Sequence, residues 1–444
     1  MGVTGANYLV GGRVVVDCGL RQGSQYADEM NYHPFPYDPK TIDVVLITHS
    51  HTDHVGRLPK LYRDGFRGKV YATEASVDLM AVSLPDNMHH IMREAEEQGR
   101  QPLFDERDLD GVMKLVHGVA YGATLDLGGG MNVRFHDAGH VLGSAIVEIR
   151  WDGSEGKGNI FFSGDLGNSP TPLLKTTEFI HDAKYVVVES AYGDRVHEDR
   201  AGRKDKLVKV ITETMARGGV LMIPSFALER TQELLFELND LLAKKKIPPV
   251  PVFIDSPLAI RLTEVYRKHV HDFNKQAIDL VQGGDDVFAF PGLRVTMTAD
   301  ESKRINNVPA PKIIIAGSGM SQGGRILHHE QRYLSDPNST ILFAGYQVDG
   351  SLGRTIQRGI NDVVIFGERI PVRCHVETLS GYSAHADQPT LLNWVAQSNT
   401  KGSLKKVFVV QGEENAAKTL ANLIRERVGV SAVAPHEGEG FELV

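Results

Sequence analysis

Cysteine is nearly absent: Cys18 and Cys374 are the only two in 444 residues. Each lies in an apolar, strand-like run, RVVVDCGL and IPVRCHVETL. That pattern reads as two buried free thiols and excludes a disulfide framework, so a cytoplasmic location is expected. No run of about 18 apolar residues occurs, so no membrane span and no membrane partner are expected. The opening MGVTGANYLVGG has neither the basic region nor the long apolar region of a secretory signal. It carries Met-Gly but lacks the Ser or Thr that a myristoylation signal prefers. Positive charge is not in excess either. A net charge of −8 argues against an all-over basic nucleic-acid binder, yet leaves room for a local basic groove or a metal site. No internal repeat or low-complexity linker interrupts the chain.

What is present is the composition of a folded globular protein, with 41% apolar and 23% charged residues. The length exceeds one ordinary core, so two domains, or one large domain with an insertion, are expected. Short β-branched runs crowd residues 13 to 190: RVVVD, DVVLIT, KVYAT, NVRFHDA, SAIVEIRW, NIFFSGD and AKYVVVES. Helices are sparse there, apart from a polar stretch at about 85 to 117. The turns WDGSEGKGN and DLGGGM predict largely antiparallel sheets. Near residue 195 the rhythm changes. Strands such as GVLMIPS, VPVFIDS and KIIIAG alternate with amphipathic helices such as ALERTQELLFELNDLLAKKK, the pattern of a parallel, Rossmann-like sheet. After about 366 come RCHVETLSGYSAHAD, the helix QPTLLNWVAQ, the strand KKVFVVQGEE and a last helix.

The densest chemistry lies at residues 48 to 56, THSHTDHVG, where His49, His51, Asp53 and His54 follow the apolar strand DVVLIT. A tight loop at a strand end lets His49 and His51 face one cation while Asp53 and His54 face another. Imidazole and carboxylate suit zinc, manganese and iron. Two such ions about 3.5–4 Å apart clamp an in-line phosphoryl displacement. His140, in DAGHVLGSA, and Asp165, in FFSGDLG, also end strand-like runs. Gly139 and Gly143 permit the close backbone approach that a metal loop needs.

With this set the chain resembles the metallo-β-lactamase superfamily. His49, His51, Asp53, His54, His140 and Asp165 look like its successive metal motifs, and Asp17 in VVVDCGLRQG matches the first motif, a support rather than a ligand. Glu189 in VVVESAYGDR, with IPSFALERTQELL, DSPLA, AGSGMSQGGRILHH, FAGYQVDGSLGR and GYSAHAD, narrows the likeness to the β-CASP branch of RNA- and DNA-processing nucleases. The likeness runs nearly end to end. It implies an α/β, four-layer αββα metallo-β-lactamase domain over residues 1–195 and 366–444, with a Rossmann-like β-CASP domain inserted at 196–365. It implies two divalent ions, zinc with manganese as the alternative. His49, His51 and His140 hold one ion, Asp53 and His54 the second, and Asp165 bridges them. Asp53, Glu189 and His385 are the candidate catalytic groups. Glu189 orients a histidine, and His385, in SAHAD, protonates the leaving oxygen. A metal-bound hydroxide is expected to cleave single-stranded RNA, leaving 5′-phosphate and 3′-hydroxyl ends, by endo- or 5′-to-3′ exonucleolytic action. A homodimer is expected from the family habit.

Two departures qualify the likeness. The branch usually carries His-Gly-Glu after its last apolar strand, whereas here VFVVQGEE places Gln411 at the histidine position. An amide oxygen is a weaker zinc ligand than imidazole, so the second ion is loosely held, replaced by manganese, or absent. Family members also usually open with a strand before the turn that MGVTGANYL resembles. For RNA contacts, Ser318 and Gly319 in the Gly/Ser loop, Arg325 after it, Arg230 at a helix start and Ser383 are the candidates. The alternative to a nuclease is a non-catalytic RNA-binding or scaffolding member with an incomplete second metal site. Hydrolysis of a small thioester or lactam accounts for the ligands but not for the inserted domain.

Overall fold

Strands Val14–Val16 and Val44–Leu46 send alternate side chains to opposite faces, and the two faces meet different neighbours. Val14, Val16, Val44 and Leu46 pack against Val133, Phe135, Val147, Ile149 and Phe162 of a second sheet. Val15, Val45, Val70 and Ala72 pack outward on Leu58, Leu61, Met80, Leu84 and Leu109, which lie on helices Leu58–Arg63, Glu74–Glu97 and Glu106–Met113. The second sheet repeats this on its far side. There Ile146, Phe161, Val186, Val188, Val407 and Val409 meet Leu391, Trp394, Val395, Leu420 and Ile424. Sheet on sheet, with helices outside both, is the expected four-layer αββα arrangement. Each fully buried Val, Leu or Phe contributes roughly 1.5–3 kcal/mol to it. The computed structural model describes residues 3–23, 25–153, 156–197, 202–348 and 350–443.

The first sheet runs Tyr8–Val10, Val14–Val16, Val44–Leu46, Lys69–Thr73, Val116–Val119. Only its first pairing is antiparallel; the other three are parallel. The antiparallel expectation for residues 13 to 190 therefore fails here, because helices, not hairpins, connect the last strands. It holds in the second sheet from Thr124–Gly128 through Gly156–Phe162, whose pairings are antiparallel. Tyr185–Val188, Lys406–Val409 and Ser431–Val433 then add in parallel. The polar stretch is helical, but its first helix begins earlier, at Glu74, where the Thr73 hydroxyl accepts from the Ser76 backbone N–H.

The chain divides into two compact units, Met1–Val196 with His385–Val444, and His197–Ala384. In the second unit six strands pair entirely in parallel, in the order Leu293–Val295, Val252–Asp255, Lys312–Ala316, Val220–Pro224, Thr340–Phe343, His375–Thr378. Residues 366–384, grouped by sequence with the first domain, thus lie in the second unit. The reason is the pairing of His375–Thr378 with Thr340–Phe343, which completes that sheet. Among the described residues no helix is long and apolar enough to cross a membrane. Cys18 and Cys374 are both buried free thiols.

Candidate metal centre

Every candidate ligand in the first unit sits just beyond the carboxyl end of a strand. His49, His51, Asp53 and His54 follow Val44–Leu46, His140 follows Met131–Asp137, Asp165 follows Gly156–Phe162, Glu189 follows Tyr185–Val188, and Gln411 follows Lys406–Val409. These five ends come from two packed sheets, which is how groups 362 residues apart in sequence, His49 to Gln411, reach one place. Glycine makes the approach: a Cβ on Gly19 would lie 1.5 Å from the Asp53 carbonyl oxygen. Gly143, at φ 78°, brings the His140 loop within 2.6 Å of the Ser76 nitrogen by the same measure.

One complete donor set results. The ligating atoms of His49, His51, His140 and Asp165 all lie within 4.8 Å of one another. His49 Nε2 is 3.0 Å from His51 Nδ1, and His140 Nε2 is 3.3 Å from the same atom. Asp165 Oδ2 is 3.6 Å from both His49 Nε2 and His140 Nε2. Donors about 2.0–2.1 Å from a tetrahedral ion are separated by about 3.3 Å, so this spacing suits one divalent cation. Burial, and then the neighbouring His54, holds the His49 imidazole well below its ordinary pKa, and burial brings His51 down to about 4. Both rings are therefore neutral near pH 7, the form that ligates a metal. Asp165 contributes Oδ2 to this set; its other oxygen, Oδ1, is buried with no hydrogen-bond partner among the described residues and faces His54 instead.

A second group adjoins the first. His54 Nδ1 lies 2.7 Å from Asp17 Oδ2, which fixes the ring with Nε2 turned inward, 3.5 Å from Asp165 Oδ1 and 3.8 Å from Asp53 Oδ2. Asp17 also accepts from the Thr48 backbone N–H at 2.8 Å and the Thr48 hydroxyl at 2.9 Å. The Gln411 amide nitrogen lies 2.8 Å from His54 Nε2. On the other flank, His385 Nδ1 is 3.3 Å from Glu189 Oε2 and 3.8 Å from Asp165 Oδ2. Glu189 Oε1 accepts from the Leu166 N–H at 2.6 Å. Burial alone would depress His385, but the charges of Glu189 and Asp165 outweigh it and raise the ring to about 9.

The candidates in the second unit are differently engaged. Arg325 donates to Asp255 Oδ1 at 2.8 Å and to the carbonyls of Thr296 and Met297. Arg230 is buried, paired with Glu233, its guanidinium 5.3 Å from the Tyr382 ring centre. Ser318 and Gly319 form a tight loop in which the Ser318 hydroxyl accepts from the Gln322 N–H at 3.1 Å. A Cβ on Gly319 would lie 2.8 Å from Phe226. Ser383 is half-buried, two positions before His385. Sequence reasoning missed Thr48 and Tyr8. Thr48 immediately precedes the histidine run, which is a local signal. The Tyr8 hydroxyl donates to Gln411 Oε1 at 3.1 Å, a partnership 403 residues apart that nothing local announces.

Comparison with known proteins agrees with this architecture. Residues 9–187 match the metallo-beta-lactamase superfamily domain, 231–356 the Beta-Casp domain, and 369–435 the Zn-dependent metallo-hydrolase RNA specificity domain. The chain is 38% identical over 441 residues to a protein of Thermus thermophilus named Ribonuclease TTHA0252, covering 99% of this chain and 97% of that one. It is 30% identical over 437 residues to Transcription termination factor FttA of Methanosarcina mazei and 32% identical over 417 residues to the factor of that name from Pyrococcus abyssi. Those alignments cover 95% and 90% of this chain but 66% and 62% of the archaeal proteins, which are longer. Strand-end histidines and aspartates on an αββα sandwich, a parallel-sheet second unit, and a relative matched over nearly its whole length place this chain in the β-CASP family of the metallo-β-lactamase superfamily.

Proposed function

We propose that this protein is a metal-dependent ribonuclease that hydrolyses phosphodiester bonds of single-stranded RNA and leaves 5′-phosphate and 3′-hydroxyl ends. The observation that carries the reading is the pairing of a complete His49–His51–His140–Asp165 donor set with a His385–Glu189 pair that touches the same aspartate. The named activity of the Thermus relative supports it. A bound divalent ion, zinc or manganese, supplies Lewis acidity for the phosphoryl oxygens and acidifies water. The chain's own residues supply the rest. His49, His51, His140 and Asp165 hold the ion, and Asp17 with Thr48 keeps the His54 ring in one orientation. Asp53 and His54, with Asp165 shared, are the donors left for a second ion. Glu189 holds the proton on His385 Nδ1, which leaves Nε2–H to protonate the departing 3′ oxygen. The non-catalytic reading is not favoured, since the donor set and the acid pair are both intact. Homodimer formation and a cytoplasmic location rest on the family likeness, and light scattering in solution checks the first.

The test is cleavage of a 5′-labelled single-stranded RNA with added zinc or manganese, comparing the native chain with Asp165→Ala. Metal-dependent cleavage lost in the variant is the expected result, and the product ladder separates endo from exo action. No cleavage by a folded, metal-loaded native sample overturns the reading.

A further inference from the structure

Gln411 stands at φ 54°, in the left-handed region that His adopts more readily than most side chains. Its amide nitrogen is 2.8 Å from His54 Nε2, in the direction in which that nitrogen would ligate. Its amide oxygen takes a hydrogen bond from the Tyr8 hydroxyl at 3.1 Å. Tyr8 belongs to the edge strand Tyr8–Val10, and its ring packs on Phe162 with centroids 5.7 Å apart. The side chain of Gln411 is thereby gripped at both ends of its amide. The space around it is small. The cavity lined by Tyr8, Asp17, Thr48, His54 and Gln411 has a volume of about 10 Å³, enough for about one water.

Resting on the metal-hydrolase reading above, we infer that Tyr8 and Gln411 close the second metal position, so that this enzyme works with one ion per chain. Two ligands of one tetrahedral ion need about 3.3 Å between them. The His49, His51, His140 and Asp165 donors have contacts of 3.0 to 3.6 Å. Gln411 and His54 are closer than any of these, at hydrogen-bonding distance. The closure does not depend on the protonation of His54. Against a neutral ring the amide N–H donates; against an imidazolium the amide turns and its oxygen accepts, with the Tyr8 hydroxyl accepting in its turn. In both arrangements the amide fills the place. To admit a second ion, Gln411 must leave His54 and break its bond to Tyr8, and then offers only an amide oxygen. The donors that remain, Asp53 Oδ2 and Asp165 Oδ1, lie 3.8 and 3.5 Å from His54 Nε2, and Asp165 already contributes its other oxygen to the first set. Tyr8 is thus a positioning residue that sets metal number through Gln411.

The experiment measures metal content of the purified full chain by mass spectrometry after loading with excess zinc and removal of free ion. A parallel sample is loaded with manganese for electron paramagnetic resonance, where one isolated Mn(II) gives a six-line signal and a close pair gives an exchange-coupled one. The expected result is one zinc per chain and the isolated signal for the native protein. Gln411→His is expected to take two zinc ions and give the coupled signal. Should that variant fold poorly, Tyr8→Phe, which frees the amide but keeps the ring, is expected to take up a second zinc at lower affinity. Two ions or a coupled signal in the native protein overturns the inference and leaves the function standing. One ion in both folded variants overturns the role of Tyr8 and Gln411. No ion on folded native protein overturns the metal-hydrolase reading itself.

Discussion

Replacing Glu189 with glutamine tests the acid assignment more sharply than deleting His385, because it leaves every ring in place. The Leu166 N–H needs an acceptor at 2.6 Å, so the amide oxygen takes the Oε1 position. The amide NH2 then faces His385 Nδ1 at the 3.3 Å contact, where a carboxylate had accepted. The charge that chiefly raises the ring is gone, and the imidazolium loses its partner. Falling from about 9 toward the ordinary value of about 6.5, the protonated fraction at pH 8 drops from about nine-tenths to about 3%. RNA cleavage at pH 8 is therefore expected to fall by up to about 30-fold, while at pH 6 most of the protonated form and most of the rate return. The sign follows from the role: an acid that must carry its proton loses activity as pH rises through its pKa, so lowering the pKa moves the alkaline limb to lower pH. The assay pairs RNA with a p-nitrophenyl phosphodiester, whose leaving group needs no proton. Only the RNA rate should fall. Equal losses on both substrates, with metal content unchanged, would refute the assignment of His385 and Glu189 as the acid and its partner.

Three further outcomes follow from the geometry. Chelation should destabilise the first unit by about 2.7 kcal/mol, for an ion initially at a hundredfold excess over its Kd, and so lower its melting temperature; no shift in calorimetry would count against the donor set. Asp255 is fully buried and accepts from Thr296 Oγ1, Ser302 Oγ, Arg325 Nη1 and His329 Nε2 at 2.6 to 2.8 Å, so Asp255→Ala should cost about 3–5 kcal/mol in denaturant unfolding. A loss under about 1 kcal/mol would mean the cluster is not a structural hub. Glu330 is buried, and burial pushes its carboxyl up to about 8, against which Ser321 donates only one hydrogen bond. The folded state then keeps a proton that the unfolded chain sheds near 4.5. Stability from this group is full below about pH 4.5 and is lost as pH rises through 8, about 2–3 kcal/mol of it between pH 6 and 9. Glu330→Gln should flatten that slope in melting experiments, and an unchanged slope would place the carboxyl elsewhere.

Much of the metal centre is legible in one dimension because its signals are local. DVVLIT followed by HSHTDH, NVRFHDA followed by GH, and NIFFSGD each put a ligand directly after an apolar strand, and short β-branched or aromatic runs identify such strands without any partner. The Rossmann-like unit is legible for the same reason, from alternating strand and helix periods. Strand direction in the first sheet is not, because side-chain alternation is identical in parallel and antiparallel ladders. Nor is the membership of His375–Thr378, which depends on a register with Thr340–Phe343 more than thirty residues away.

Ligand types, their places at strand ends and the family pattern can all be read along the chain, since each is written within a few residues. Which partners each polar group meets emerges only on folding. Arg325, a phosphate-contact candidate from its place after a Gly/Ser loop, also holds Asp255 and the carbonyls of Thr296 and Met297. Gln411 reads as a weakened ligand until Tyr8 and His54 are seen on either end of its amide. A hydrogen-bonding atom committed to one partner is less available to another, and the partners of Gln411 come from the opposite end of the chain.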